Sequence, residues 1–112
     1  MAYNRVRIVR KPWGREVHWA AEKEYVGKIL EVKRGKRLSL QYHVRKKETI
    51  YVLEGKVRLT LGTKTMIVDP GRSVTIKPKV RHRIEALIDS KLLEASTPQL
   101  KDVVRIEDDY GR

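Results

Sequence analysis

Gly35-Lys36-Arg37-Leu38-Ser39-Leu40-Gln41-Tyr42-His43-Val44-Arg45-Lys46-Lys47-Glu48-Thr49-Ile50-Tyr51-Val52-Leu53-Glu54-Gly55 is the stretch whose reading decides the fold. Two alternating runs, Arg37 to His43 and Thr49 to Glu54, lie between glycines and are separated by Val44 to Lys47, long enough to reverse the chain. Successive strand residues face opposite ways, so Leu38, Leu40 and Tyr42 share one face while Ser39, Gln41 and His43 share the other. Glu48 opens the second run and reaches back beside His43, and His82 heads a later run. Four side chains with nitrogen or oxygen donors, Gln41, His43, Glu48 and His82, are therefore candidate metal ligands inside a small β-barrel.

The remainder of the chain repeats this texture. Short alternating runs fall at Arg5 to Val9, Glu16 to Ala20, Tyr25 to Val32, Lys56 to Leu61, Lys64 to Val68, Ser73 to Ile76, His82 to Ala86, Lys91 to Ala95 and Val103 to Glu107. Turns are expected at Arg34-Gly35, Glu54-Gly55, Gly62-Thr63 and Pro70-Gly71, and Thr97-Pro98 is expected to cap one helical turn. So many short strands fit an all-β jelly roll or small barrel, read as one domain over residues 1–112.

Cysteine is absent, which excludes disulfides and thiolate metal sites and leaves nitrogen and oxygen donors. Two imidazoles, a carboxylate and an amide suit a divalent ion: zinc first, with iron, manganese, nickel or cobalt also compatible. The first residues hold no apolar stretch of signal-peptide or membrane-span length, so a cytoplasmic location away from membranes is expected. Twenty-six basic residues against 14 acidic ones give a formal charge of +12, spread along the chain and not gathered in one arm. No recognition-helix, zinc-finger or aromatic RNA-binding pattern accompanies that charge, so nucleic acid is not expected and a small anionic ligand is.

Once these residues are set together, the chain resembles the cupins, with Gln41 where the first histidine of their signature usually stands. More specifically, it is similar to the cupin domain of type II phosphomannose isomerases. Lys11-Pro12-Trp13-Gly14 resembles that family's opening segment, Leu38-Ser39-Leu40-Gln41-Tyr42-His43 its Leu-Ser-Leu-Gln-x-His, and Val104 to Arg112 its closing Arg-x-Glu-Asp-x-Tyr-Gly-Arg. Departures occur at Thr49, where a histidine is usual, at Lys77-Pro78-Lys79, where Pro-x-Gly is usual, and at Ala86, where asparagine is common.

The resemblance implies a metal-dependent interconversion of mannose 6-phosphate and fructose 6-phosphate through an enediol. Glu94, which shares a face with Leu92 and Ser96, is the candidate base, and Lys28, which matches a lysine of the family's corresponding strand, is the second candidate catalytic residue, expected at the barrel mouth. Arg45, Lys46, Arg105 and Arg112 are candidate grips for a sugar phosphate. His18 is expected at the surface or in packing, and Trp13 and Tyr110 are expected to pack the two termini together. A homodimer formed through barrel edges is also expected. Two alternatives stand beside the isomerase: a non-catalytic cupin binding a sugar or another small ligand, and a cupin dioxygenase using two histidines and a carboxylate for iron.

Overall fold

A computed structural model describes residues 2–112. Eleven strands follow one another: β1 (Arg7–Lys11), β2 (Gly14–Ala21), β3 (Val26–Val32), β4 (Leu40–Tyr42), β5 (Glu48–Glu54), β6 (Val57–Leu61), β7 (Lys64–Val68), β8 (Ser73–Ile76), β9 (His82–Ala86), β10 (Ser90–Ser96) and β11 (Val104–Glu107). They are the eleven runs expected from alternation, with shifted ends. All pairings are antiparallel and build two sheets, ordered β1-β2-β3-β10-β5-β8 and β11-β4-β9-β6-β7. Among the described residues no helix is long and apolar enough to cross a membrane.

The inner faces carry a gradient that positions everything else. On β3 the inward residues are Val32, Leu30 and Lys28; on β5 they are Val52, Ile50 and Glu48; on β10 they are Leu92, Glu94 and Ser96. Register stacks these series: Leu92 lies opposite both Leu30 and Val52, and Glu94 opposite both Lys28 and Ile50. One end of the barrel is thus apolar, filled by Trp13, Val57, Leu59, Val68, Ala86 and Leu92. Each fully buried Val, Leu or Ile there contributes roughly 1.5–3 kcal/mol by leaving water. The other end is lined with charge. Trp13 is in the core and Tyr110 packs against that core; Tyr110 Oη also donates to the Arg37 carbonyl at 2.9 Å.

Two local expectations are corrected. The run from Arg37 to His43 is not one strand: only Leu40–Tyr42 joins the ladder, and Arg37 forms an isolated bridge to Glu85. The reason is Arg83, buried beneath this segment, whose Nε donates to the Leu38 carbonyl at 2.9 Å. Nor does Thr97 cap a helical turn. Its hydroxyl accepts from the Lys47 amide at 3.0 Å, and its own amide donates to the Lys47 carbonyl at 3.0 Å. A cap must instead accept from amides later in its own segment, and the chain continues through tight turns with Leu100 N donating to the Pro98 carbonyl at 2.8 Å.

Turn geometry agrees with the glycines at Gly35, Gly55, Gly62 and Gly71, all at positive φ. Gly55 is also sterically fixed, because a Cβ there would lie 2.2 Å from Ser90 Oγ and 2.5 Å from the Asp89 carbonyl oxygen. Lys79 is different: its φ of 69° is left-handed, in the segment where Pro-x-Gly is usual. Its amide donates to the His43 carbonyl at 2.6 Å, so the strained turn is tied to a candidate ligand. A non-glycine residue in this conformation costs about 1–2 kcal/mol, less the roughly 0.5–1 kcal/mol of chain entropy that glycine loses on folding. Lys79→Gly is therefore expected to stabilise the fold by about 0.5–1 kcal/mol, read as a higher denaturant midpoint with unchanged m-value.

Candidate metal centre

His43 follows the last residue of β4, while Glu48 and His82 are the first residues of β5 and β9. All three are buried, and their donor atoms lie within 4.8 Å of one another. Glu48 Oε1 is 3.3 Å from His43 Nε2 and 3.2 Å from His82 Nε2. The opposite nitrogens settle the chemistry: His43 Nδ1 donates to the Asp102 carbonyl, and His82 Nδ1 donates to the Val80 carbonyl at 3.0 Å. Carbonyl oxygens only accept, so Nε2 is the free position of both rings and faces the carboxylate with a lone pair in the neutral imidazole and with a donated proton in the charged one. His82 Nε2 makes no hydrogen bond. Two ligand atoms bound to one tetrahedral ion at about 2.1 Å would stand about 3.4 Å apart, close to the observed spacing. The donor set and its unpartnered nitrogen fit a divalent metal.

Gln41 sits on β4 directly opposite His82 and lines the same cavity. Its Oε1 accepts from the buried Ser39 hydroxyl at 3.0 Å. Asp102, which no local pattern marks out, braces the loop between His43 and Glu48. Besides receiving His43, it accepts with its carboxylate from the amides of Val44 at 3.0 Å, Arg45 at 2.6 Å and Lys46 at 2.9 Å. These backbone donors, led by Val44, hold its carboxyl below the usual range.

The trio opens into a cavity of 290 Å³. Glu94, Lys28 and Lys46 line it, each buried. Lys46 Nζ lies 3.0 Å from Glu94 and 3.4 Å from Glu48. Burial alone would lift both carboxyls. For Glu48, contact with His43 and His82 and the Lys46 charge overcome this and pull it far down. For Glu94, burial and the nearby Glu48 charge win over Lys46 and Lys28, so its carboxyl is pushed up. Burial would lower the Lys46 ammonium, but Glu94 and Glu48 outweigh it and push it up. On the facing wall, Lys28 Nζ is 3.4 Å from Glu16, and His18 Nε2 donates to Glu16 at 2.7 Å. His18 thus faces the cavity, correcting its expected place at the surface or in packing. The i, i+2 spacing of Glu16 and His18 on one strand is the signal that would have found the pair, by the rule that found Gln41 and His43.

Arg105 lines the cavity, on β11 opposite Gln41. Arg45 and Arg112 are not brought to it. Arg45 is exposed on the loop, and the Arg112 guanidinium is held by Asp108 at 3.0 Å and lies 5.5 Å above the Tyr110 ring. Arg7, Lys11 and Lys101 supply cavity-lining charges that were not anticipated. The departure at Thr49 falls outside the cavity, since its hydroxyl pairs with that of Thr75 at 2.9 Å.

Two antiparallel sheets closed around a His-Glu-His group define a small cupin. The chain superposes on an RmlC-like cupin from Shewanella frigidimarina with a TM-score of 0.79, covering 86% of each chain at 18% identity. A family model described as "Mannose-6-phosphate isomerase C-terminal" matches residues 2–108, and the chain belongs to that family. Mannose-1-phosphate guanylyltransferase ManC of Salmonella typhimurium is 33% identical over 111 residues, 95% of this chain and 23% of the relative. The xanthan biosynthesis protein XanB of Xanthomonas campestris is 31% identical over 111 residues, 95% and 24% respectively. The chain spans about a quarter of the length of these curated relatives.

Asp102 generates the test of this geometry. Truncation to alanine frees the ligand loop, and loss of such an outer support lowers metal affinity by about 10–100-fold; competition with a chelator measures it. The folded Asp102 carboxyl lies below its unfolded value, so its stabilisation is complete above the ordinary carboxylate range and lost as pH falls through the folded value. The stability difference between wild type and Asp102→Ala should accordingly narrow below about pH 4.

Proposed function

We propose that this cavity interconverts an aldose phosphate and its ketose, mannose 6-phosphate and fructose 6-phosphate in the first instance. The observation that carries the reading is Glu94: a buried carboxyl with its pKa pushed up, facing the same cavity as the His-Glu-His trio. A carboxylate whose affinity for a proton is raised by burial is a stronger base than an ordinary surface one. Family membership supports the same reaction type.

In this reading Glu94 takes the proton from C2 of the aldose and returns it to C1. Lys46, 3.0 Å away, fixes the carboxylate and offsets the Glu48 charge beside it. His43, Glu48 and His82, with Gln41 as a fourth donor, would hold a divalent cation, which when bound supplies stabilisation of negative charge on the substrate oxygens. Arg7, Lys11, Lys101 and Arg105 give the cavity the positive wall that a phosphate requires. Arg45 and Arg112 have no part in it.

An enzyme-linked assay on mannose 6-phosphate, run with and without chelator, tests the reading. Metal-loaded protein should turn over and chelated protein should not. Glu94→Gln should lower kcat by about 10²–10⁴-fold while the protein stays folded. Absence of turnover by the metal-loaded wild type would overturn the proposal.

A further inference from the structure

Glu16 and His18 form a second polar pair in the cavity, on the wall away from Glu48. His18 Nε2 donates to Glu16 Oε1 at 2.7 Å, with side chains only 12% and 13% exposed. That bond fixes the tautomer: in the neutral ring the proton is on Nε2, so Nδ1 carries a lone pair. The bond to Glu16 leaves Nδ1 as the other ring nitrogen, and His18 lines the cavity. A carboxylate holding one imidazole nitrogen so that the other can take up a proton is the arrangement of a positioned general base.

Charge balance alone does not explain the pair. Glu16 already has Lys28 at 3.4 Å and Lys11 at 4.0 Å as counter-charges, so it is neutralised without an imidazole. Register sets the relation to Glu94. His18 lies opposite Lys28, and Lys28 opposite Glu94, so the three occupy one inward row of the large sheet. Two strand spacings put the His18 and Glu94 backbones about 10 Å apart, enough for a small substrate between their side chains. The charged groups facing His18 are Arg7 and Lys11 of β1, Glu16 on its own strand, Lys28 of β3 and Lys101 of the last loop.

We propose that His18, positioned by Glu16, transfers the hydroxyl proton between the two substrate oxygens while Glu94 transfers the carbon-bound one; this rests on the isomerase reading above. Glu94 takes the C2 proton, and the C2–H electron pair forms C1=C2 as the C1 carbonyl becomes an enediolate oxygen. His18 Nδ1 takes the O2 hydroxyl proton and delivers it to O1. The O2 electron pair then closes the C2 carbonyl, and Glu94 returns its proton to C1. Both side chains end as they began. His18 is the catalytic residue and Glu16 the positioning one.

Mannose 6-phosphate carrying deuterium at C2 separates the two transfers in metal-loaded protein. The wild type should form ketose and release deuterium to water. His18→Gln should form ketose about 10²-fold or more slowly, while the recovered aldose continues to lose deuterium, so the ratio of wash-out to turnover rises. Glu94→Gln should lose both. Glu16→Gln should lower kcat with little change in KM and displace the pH profile, and Glu16→Asp should restore part of the rate. Should His18→Gln not fold by circular dichroism, His18→Asn and the Glu16 pair carry the same comparison. Wild-type turnover in the His18 variants, or equal loss of wash-out and turnover, would overturn the proposal and leave the isomerase reading standing. If the wild type neither isomerises nor exchanges, both fall.

Discussion

Two imidazole Nε2 atoms lie 3.2–3.3 Å from one carboxylate oxygen in the interior of this barrel, and both Nδ1 protons are committed to backbone carbonyls. In a low-dielectric interior three acceptors cannot share such a space without a cation or added protons between them. The surroundings are organised around that constraint. Asp102 fixes one imidazole by its carbonyl and the ligand loop by its carboxylate, Lys79 ties the turn before β9 to the His43 carbonyl, and Lys46 stands between the two buried glutamates.

Maintaining such a polar end has a thermodynamic cost, since buried ion pairs at best roughly offset their own desolvation. The opposite end of the same strands supplies the compensation. Val32, Leu30, Val52, Ile50 and Leu92 stand on the same inward rows as Lys28, Glu48 and Glu94. Fold and site are thus two ends of one alternation, and the charged wall is rigid because its strands are anchored in a close-packed core.

Much of this was legible because strand period is short-range information. Period two placed Gln41 with His43, Lys28 with Leu30, and Glu94 with Leu92, and the structure keeps each on the expected face. Asp102 was not legible, since its partners lie more than fifty residues earlier and no local rule links them. Arg112 came from the resemblance alone, and in the structure its guanidinium lies with its near neighbours Asp108 and Tyr110. The broken strand at Arg37 to Ser39 depended on Arg83 of another strand, whose side chain takes the Leu38 carbonyl out of the ladder. His18 was expected at the surface or in packing because its pattern has no characteristic spacing beyond alternation with Glu16.

Calorimetric titration of zinc into metal-free protein at neutral pH bears most directly on the centre. One ion bound per chain is expected, with binding abolished in Glu48→Gln and His82→Ala variants that remain folded. Failure of the wild type to bind any divalent ion, or undiminished affinity in both variants, would contradict the assignment of His43, Glu48 and His82 as a metal centre.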